Sequence, residues 1–401
     1  MMFVSIGKQI SIFYKANFLL INTTALLSSA LPIFFYHPCG LIVEKIGFKR
    51  TMITASALNA LGACIKCMAL RRNLFFLLLF GQLLTTFGMQ FFAVVGGILL
   101  ITWFSDKEFE VIIGVMNCFG PVGLAISFVP TLVIFNNVVS LNAIYFRLKW
   151  MLISLAIATF ILYLAVLLFV KDKPSSPPCK IVVQERNVPR QSICVVLKNK
   201  NFILLSIYFG AILSLSQVVL ITLNQTANAV FGTNAAVVIT LAGVLHAVGS
   251  IPGPLMTGFS LKFYGKFKIL HIISALIMCV MIALYLLSIY LRNTYLLYFA
   301  SFSTGALTFG LLSFIVTYAF EVTFPYPVTI TLSIMFSIGY VPALICTPLV
   351  TALIEVYGVV KGNMVLVAMS LIVLVIPCCV TEDLRRKRAV QQLSERRPLI
   401  H

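Results

Sequence analysis

Acidic residues are scarce in this chain: 11 Asp and Glu stand against 29 Lys and Arg in 401 residues. Charged residues of both signs make up only 10% of it, against roughly 25% in a soluble domain. That shortage excludes a soluble globular protein. The few acids near apolar runs, such as Glu321 and Glu355, lie at their ends, so no carboxylate is expected at mid-membrane to carry a proton or sodium ion across. No His/Asp/Glu cluster converges within any pair of apolar runs, which argues against an enzyme, a metal centre or a bound cofactor. No cleavable leader is expected either, because Lys8 and Lys15 interrupt MMFVSIGKQISIFYK before a full apolar core forms. The ten cysteines are scattered, and Cys39, Cys118, Cys279 and Cys346 fall inside apolar runs. They read as small buried hydrophobes and not as a disulfide framework. Cys64 and Cys67 form a CxxC, but on an apolar helix it lacks the βαβ setting of a redox pair.

What is present is hydrophobicity, 61% of all residues. Charge-free runs such as Ala16 to Val43 recur along the whole length, and most exceed the ~20 residues a helix needs to cross a bilayer. Eleven runs qualify, near 17–39, 51–70, 74–103, 111–135, 150–170, 202–223, 236–261, 269–291, 295–320, 329–354 and 363–381. Twenty of the 29 cations lie on one side of this zigzag, in segments 44–50, 105–110, 171–201 and 262–268 and the tail after 381. By the positive-inside rule that side is cytoplasmic, which puts the N-terminus outside. The net charge of +18 therefore implies anionic lipid headgroups as partner, and no nucleic acid. The longest hydrophilic stretch, Lys171 to Asn201, holds Pro174, Pro177, Pro178 and Pro189 and reads as a cytoplasmic linker. The organisation expected is an all-α membrane protein: an N-terminal bundle over 1–170 with about five spans, a linker over 171–201, a C-terminal bundle over 202–381 with six, and a basic tail over 382–401.

GLIVEKIGFKR, after the first run, places Gly40, Glu44, Gly47 and Lys49 at fixed intervals. A second copy lies 218 residues on, with Gly258, Lys262 and Gly265, after the seventh run. The offset is six helices, as two six-helix repeats would give. The pattern resembles the loop signature of the major facilitator superfamily, G-x-x-x-D-R-x-G-R-K, found after helices two and eight. The resemblance implies a major-facilitator fold of two bundles with twelve helices, the first of which this chain lacks. It also implies that the motif acts as a cytoplasmic latch in the alternating-access cycle. The glycines permit close helix approach, and Glu44 is suited to accept hydrogen bonds at a helix N-terminus or to pair with a cation. Lys262 stands where the second copy should carry an acid.

Further strings follow in order: LGACIKC (Leu61 to Cys67), Gly81-Gln82, WFSDKE (Trp103 to Glu108), FEVTFP (Phe320 to Pro325), Gly362-Asn363 and DLRR (Asp383 to Arg386). Together they resemble the feline leukaemia virus subgroup C receptor-related proteins, a solute carrier family of choline, ethanolamine and haem transport. The resemblance implies a small cationic amine as substrate, with haem second, and facilitated uniport is favoured because no mid-membrane acid is present. In that family a tryptophan on helix one, a tyrosine on helix seven and glutamines on helices five and eleven line the cavity. Here Asn117 or Phe119, Leu213 and Tyr340 fall at the last three places, so none is kept in kind. Asn117, Gln217, Tyr318 and Tyr340 lie inside runs where polar groups are costly, and as a group they form a cavity hypothesis; Tyr340, with a π face and a hydroxyl, leads it. A different class of reading is a non-transporting receptor or scaffold, including a truncated form that modulates a full-length partner.

Other residues have plainer readings. His37, beside Pro38, reads as a packing or interfacial residue, and Lys66, near the outer end of its helix, as a snorkelling cation. Asn224-Gln225-Thr226 is a glycosylation sequon only if its loop clears the bilayer, and Asn22-Thr23-Thr24 reads as helix packing. Arg385 to Arg388 read as a membrane-surface anchor, and Glu395, Leu399 and Ile400 match an acidic dileucine pattern for a sorting adaptor. The plasma membrane is the expected residence, with endosomal or lysosomal membranes as the alternative.

Overall fold

The computed structural model describes residues 3, 6–16, 18–105, 108–135, 138, 140–174, 193–232 and 235–395, and every regular element among them is a helix. In order these are α1 (Gly7–Tyr14), α2 (Phe18–Ile46), α3 (Phe48–Met68), α4 (Phe75–Trp103), α5 (Phe109–Phe135), α6 (Leu141–Phe169), α7 (Ile193–Leu197), α8 (Lys200–Phe231), α9 (Ala235–Gly249), α10 (Pro252–Tyr264), α11 (Phe267–Tyr290), α12 (Thr294–Thr323), α13 (Val328–Tyr357), α14 (Val359–Cys379) and α15 (Arg385–Glu395). Among the described residues nine segments are long and apolar enough to cross a bilayer. With α2 and α5, 29 and 27 residues long, they account for the eleven runs of the sequence.

The helices outrun the apolar windows, because their ends reach a zone where polar side chains find partners. α6 starts at Leu141, taking in Arg147, whose guanidinium donates to the carbonyl of Ile134 in the last turn of α5. A cation there meets carbonyls that have no partner within their own helix. α2 likewise runs on through Glu44 and Lys45 to Ile46. The run read as a single span over 236–261 is interrupted at Ser250 and Ile251. Pro252 and Pro254 have no N–H to give the preceding turn, and Pro252 starts α10 with the fixed φ that suits a first helical residue.

The chain forms two compact units. Unit 1 comprises Met1–Leu99 with Ile126–Ser176, and unit 2 comprises Leu100–Ala125 with Pro177–His401. In unit 1, α3 packs along α6, and α3 meets α4 at small residues, Gly62 against Gly81 and Ala55 against Gly88. A Cβ on Gly62 would stand 2.6 Å from the carbonyl oxygen of Gly81, so only glycine lets the two backbones approach this far. α1 packs across the loop ends of α3 to α6: Phe3, Ile6, Ile10 and Phe13 join Phe75, Phe135 and Ile144, and Tyr14 Oη donates to Ala69 O at 2.9 Å. In unit 2, α12 is central and is buried without interruption from Gly310 to Thr323. α8 lies against α13, and the two halves of the broken span, α9 and α10, lie against α12.

Candidate functional site

The first motif copy is not a loop. Gly40 to Ile46 are helical, and α3 begins at Phe48, so Gly47 alone makes the turn. Its φ of +82° lies where a side chain is strained, which accounts for the glycine. The new helix exposes its N-terminal amides, and a carboxylate caps them: Lys49 N donates to Asp172 Oδ1 at 2.8 Å. The sequence assigned this kind of task to Glu44, which the structure leaves exposed on α2.

The second copy repeats the geometry inside unit 2. Gly258 is buried where α10 crosses α5, and a Cβ on it would lie 2.8 Å from Glu110 O. Gly265, at φ +62°, closes α10 in the left-handed conformation, with α11 starting at Phe267. WFSDKE also acquires a physical role. Ser105 N and Oγ donate to Glu108 Oε2 at 3.3 and 2.7 Å, and Glu108 N donates to the backbone carbonyl Ser105 O at 3.1 Å, a hydrogen-bonded turn just ahead of α5 in which the carboxylate holds the Ser105 amide. The Ser105 hydroxyl and amide, with a smaller contribution from Lys262, hold the Glu108 carboxyl below its ordinary range. A carboxyl whose folded value is depressed stabilises the fold fully at neutral pH and loses that contribution as pH falls through the ordinary carboxylate range to the folded value. The acid-induced drop in unfolding temperature, followed from about pH 6 to about pH 3, is therefore expected to be shallower in Ser105→Ala than in the parent.

Of the four interior candidates, Asn117 on α5, Gln217 on α8 and Tyr340 on α13 are half-buried and lie well inside their helices, all in unit 2. Asn117 Nδ2 is buried without a hydrogen-bond partner among the described residues, a state native proteins rarely tolerate away from a ligand or water. Phe119, the other residue aligned with the helix-five position, is 69% exposed. Tyr318 departs from the group. It is 2% exposed near the end of α12, its ring is tilted over Phe267 and His271 at centroid distances of 5.4 and 5.5 Å, and its hydroxyl donates to Thr381 O at 3.1 Å. Its hydroxyl is thus satisfied where the chain leaves the last span, and the residue serves packing there.

Two buried polar centres escaped the sequence reading. Lys66 does not snorkel: it is 5% exposed, and its Nζ donates to Gln82 Oε1 and Thr85 Oγ1, each at 3.2 Å, across the glycine-lined approach of α3 and α4. His246, one turn before the break in its span, is 1% exposed between two hydroxyls, with Ser216 Oγ 3.2 Å from Nε2 and Thr304 Oγ1 3.4 Å from Nδ1. Because the Thr304 hydroxyl donates to Ser301 O, it accepts from Nδ1, and Nε2 accepts from Ser216. The sequon is corrected as well. α8 stays helical through Asn224 to Phe231, and Thr226 is fully buried and accepts from Asn363 Nδ2 at 3.2 Å, so the site has no clear loop. Leu399 and Ile400 of the dileucine pattern lie outside the described residues.

The description of the Major Facilitator Superfamily fits residues 2–325 of this chain. The chain belongs to that superfamily. Membership accounts for the helical fold and makes the chain a multi-pass membrane protein of a transporter superfamily. Among known members, the choline/ethanolamine transporter flvcr2b of Danio rerio is 25% identical over 372 residues, covering 90% of this chain and 75% of that protein. Choline/ethanolamine transporter FLVCR2 of Homo sapiens is 24% identical over 371 residues, 89% and 69% of the two chains. An uncharacterized transporter of this type from Caenorhabditis elegans, C09D4.1, is 22% identical over 96% of this chain and 66% of its own length, so the chain spans about two thirds to three quarters of these relatives. The solved fucose:proton symporter of E. coli superposes with a TM-score of 0.68 at 13% identity, covering 95% of this chain and 98% of that one, a likeness of fold alone.

Proposed function

We propose that this superfamily member is a carrier for a small cationic amine of the choline or ethanolamine kind, working by alternating access of its N-terminal (1–170) and C-terminal (202–381) bundles at the plasma membrane. The observation that carries the reading is the run of relatives named choline/ethanolamine transporters, aligned over about nine-tenths of the chain. A quaternary ammonium offers no N–H, so its recognition falls to aromatic faces, with polar groups for the hydroxyl. Tyr340, with Asn117 and Gln217 in the same unit, supplies that combination. Haem is less well served, since His246 already has a hydroxyl at each ring nitrogen. Cells displaying the chain at their surface should take up radiolabelled choline above background, and Tyr340→Ala should lower uptake by about tenfold, the loss of one desolvated cation–π contact. Absence of uptake despite confirmed surface display would sink the assignment.

A further inference from the structure

The four cations Arg385 to Arg388, read from the sequence as a membrane-surface anchor, divide in the structure. Arg385 and Arg388 face outward, with side chains 51% and 63% exposed, and both pair with Asp383. Arg386 and Lys387 turn inward. The Arg386 guanidinium, on a residue 6% exposed, lies 3.3 Å over the ring of Phe109 at the start of α5. Lys387 makes three contacts: its amide donates to Glu321 Oε2 at 3.0 Å, its Nζ stands 3.5 Å from Glu110 Oε1, and the same Nζ lies 4.6 Å over the Phe267 ring. The approach to α15 is itself fixed, because Asn201 Nδ2 donates to Thr381 Oγ1 at 2.7 Å and Tyr318 Oη to Thr381 O.

We propose that α15 is a strap that holds the inner end of α5 against α11 and α12, and that its release frees that end to move. The two acids it meets are the reason. Glu321 is 3% exposed, and a buried carboxylate is tolerated only with hydrogen bonds and counter-charge. α15 brings both, an amide from its first turn, where the helix dipole favours an anion, and the cations of Arg386 and Lys387. With the strap removed, Glu321 is left to water or to protonation, so undocking and hydration of the inner end are one event. The sequence repeat assigns α5 to the first bundle, whereas its inner part, residues 109–125, falls within unit 2. Phe109 and Glu110, the residues the strap grips, lie within that part. The contacts named are charges and ring faces, which suits a device that docks and lets go.

Cys118 reports on the inner end of α5. It is 8% exposed, with its Sγ 3.0 Å from Ile251 O beside α10. Cys279, on α11 with its Sγ 2.9 Å from Ser370 O, reports on packing that the strap does not grip. In the full chain reconstituted in lipid nanodiscs, N-ethylmaleimide labelling of each thiol is followed by peptide mass spectrometry. Arg386→Ala/Lys387→Ala should speed labelling of Cys118 by about tenfold and leave Cys279 unchanged, as loss of charge-assisted contacts at one place requires. Arg386→Lys/Lys387→Arg should stay close to the parent. If the double alanine variant does not fold, Glu110→Gln, which removes one ion pair, should give a smaller rise at Cys118 alone. An unchanged Cys118 rate in a folded variant, or equal acceleration of both thiols, overturns the proposal. The test needs no transported substrate, so it stands or falls apart from the choline assignment.

Discussion

A Gln82→Leu variant is expected to lose about 2–3 kcal/mol of stability, the range for a hydrogen bond to a charged group that is deleted with its partner left buried. Lys66 reaches only neutral oxygens in the contacts described, Gln82 Oε1 and Thr85 Oγ1, and leucine at 82 removes one of them. The companion variant Lys66→Met/Gln82→Leu fills the same space with apolar groups and is expected to recover most of the loss, because exchanging both members of a buried polar pair is close to neutral. Unfolding temperatures in one detergent, compared across both single variants and the double, decide the point. If Gln82→Leu melts with the parent, the lysine does not depend on that amide.

The largest effect should follow Gly305→Leu. Gly305 faces the backbone of α9, where even a Cβ would intrude on the carbonyl oxygen of His246, and Gly253 meets Ala306 O on the same helix in the same way. The obstacle is backbone, which cannot swing aside, so α12 and α9 must separate by more than the added methylene. Overpacking of this kind costs about 1–3 kcal/mol for modest insertions and more for a whole side chain. Separation would also open the hydrogen bonds of His246 to Thr304 and Ser216. Loss of the monodisperse peak in fluorescence-detected size exclusion is the expected result. A well-folded Gly305→Leu protein would show that this crossing adapts.

Hydropathy was enough to find the nine segments that are long and apolar enough to cross among the described residues, because the bilayer sets one length scale for all of them. It misjudged their ends for the same reason. Glu44, Arg147 and Gln225 fall outside an apolar window, yet each is helical, since at membrane level a helix end needs only a partner or water. The repeat was legible because Gly40 and Gly47 share their spacing with Gly258 and Gly265. The site was less so. Asp172 caps α3 from 123 residues away, a pairing no local pattern reveals. Lys66 was read by depth alone, and sequence gives depth more readily than helix face; the signal lay in Gly81, Gln82 and Thr85 on the facing helix. His246 drew no notice because no acid accompanies it, although its partners are ordinary serine and threonine hydroxyls. Tyr318 was placed by its position within a run, whereas its packing depends on the fold bringing α11 and Thr381 to it.

Gly47 has a mechanical consequence. A connection several residues long is compliant, and one helix can tilt while its neighbour stays still. Between α2 and α3 a single residue intervenes, and its far side is pinned by Asp172 to the chain just beyond α6. Gly265 and Lys266 leave scarcely more slack between α10 and α11. Each pair behaves as a bent lever, so a displacement at one arm arrives at the other with little lost in the joint.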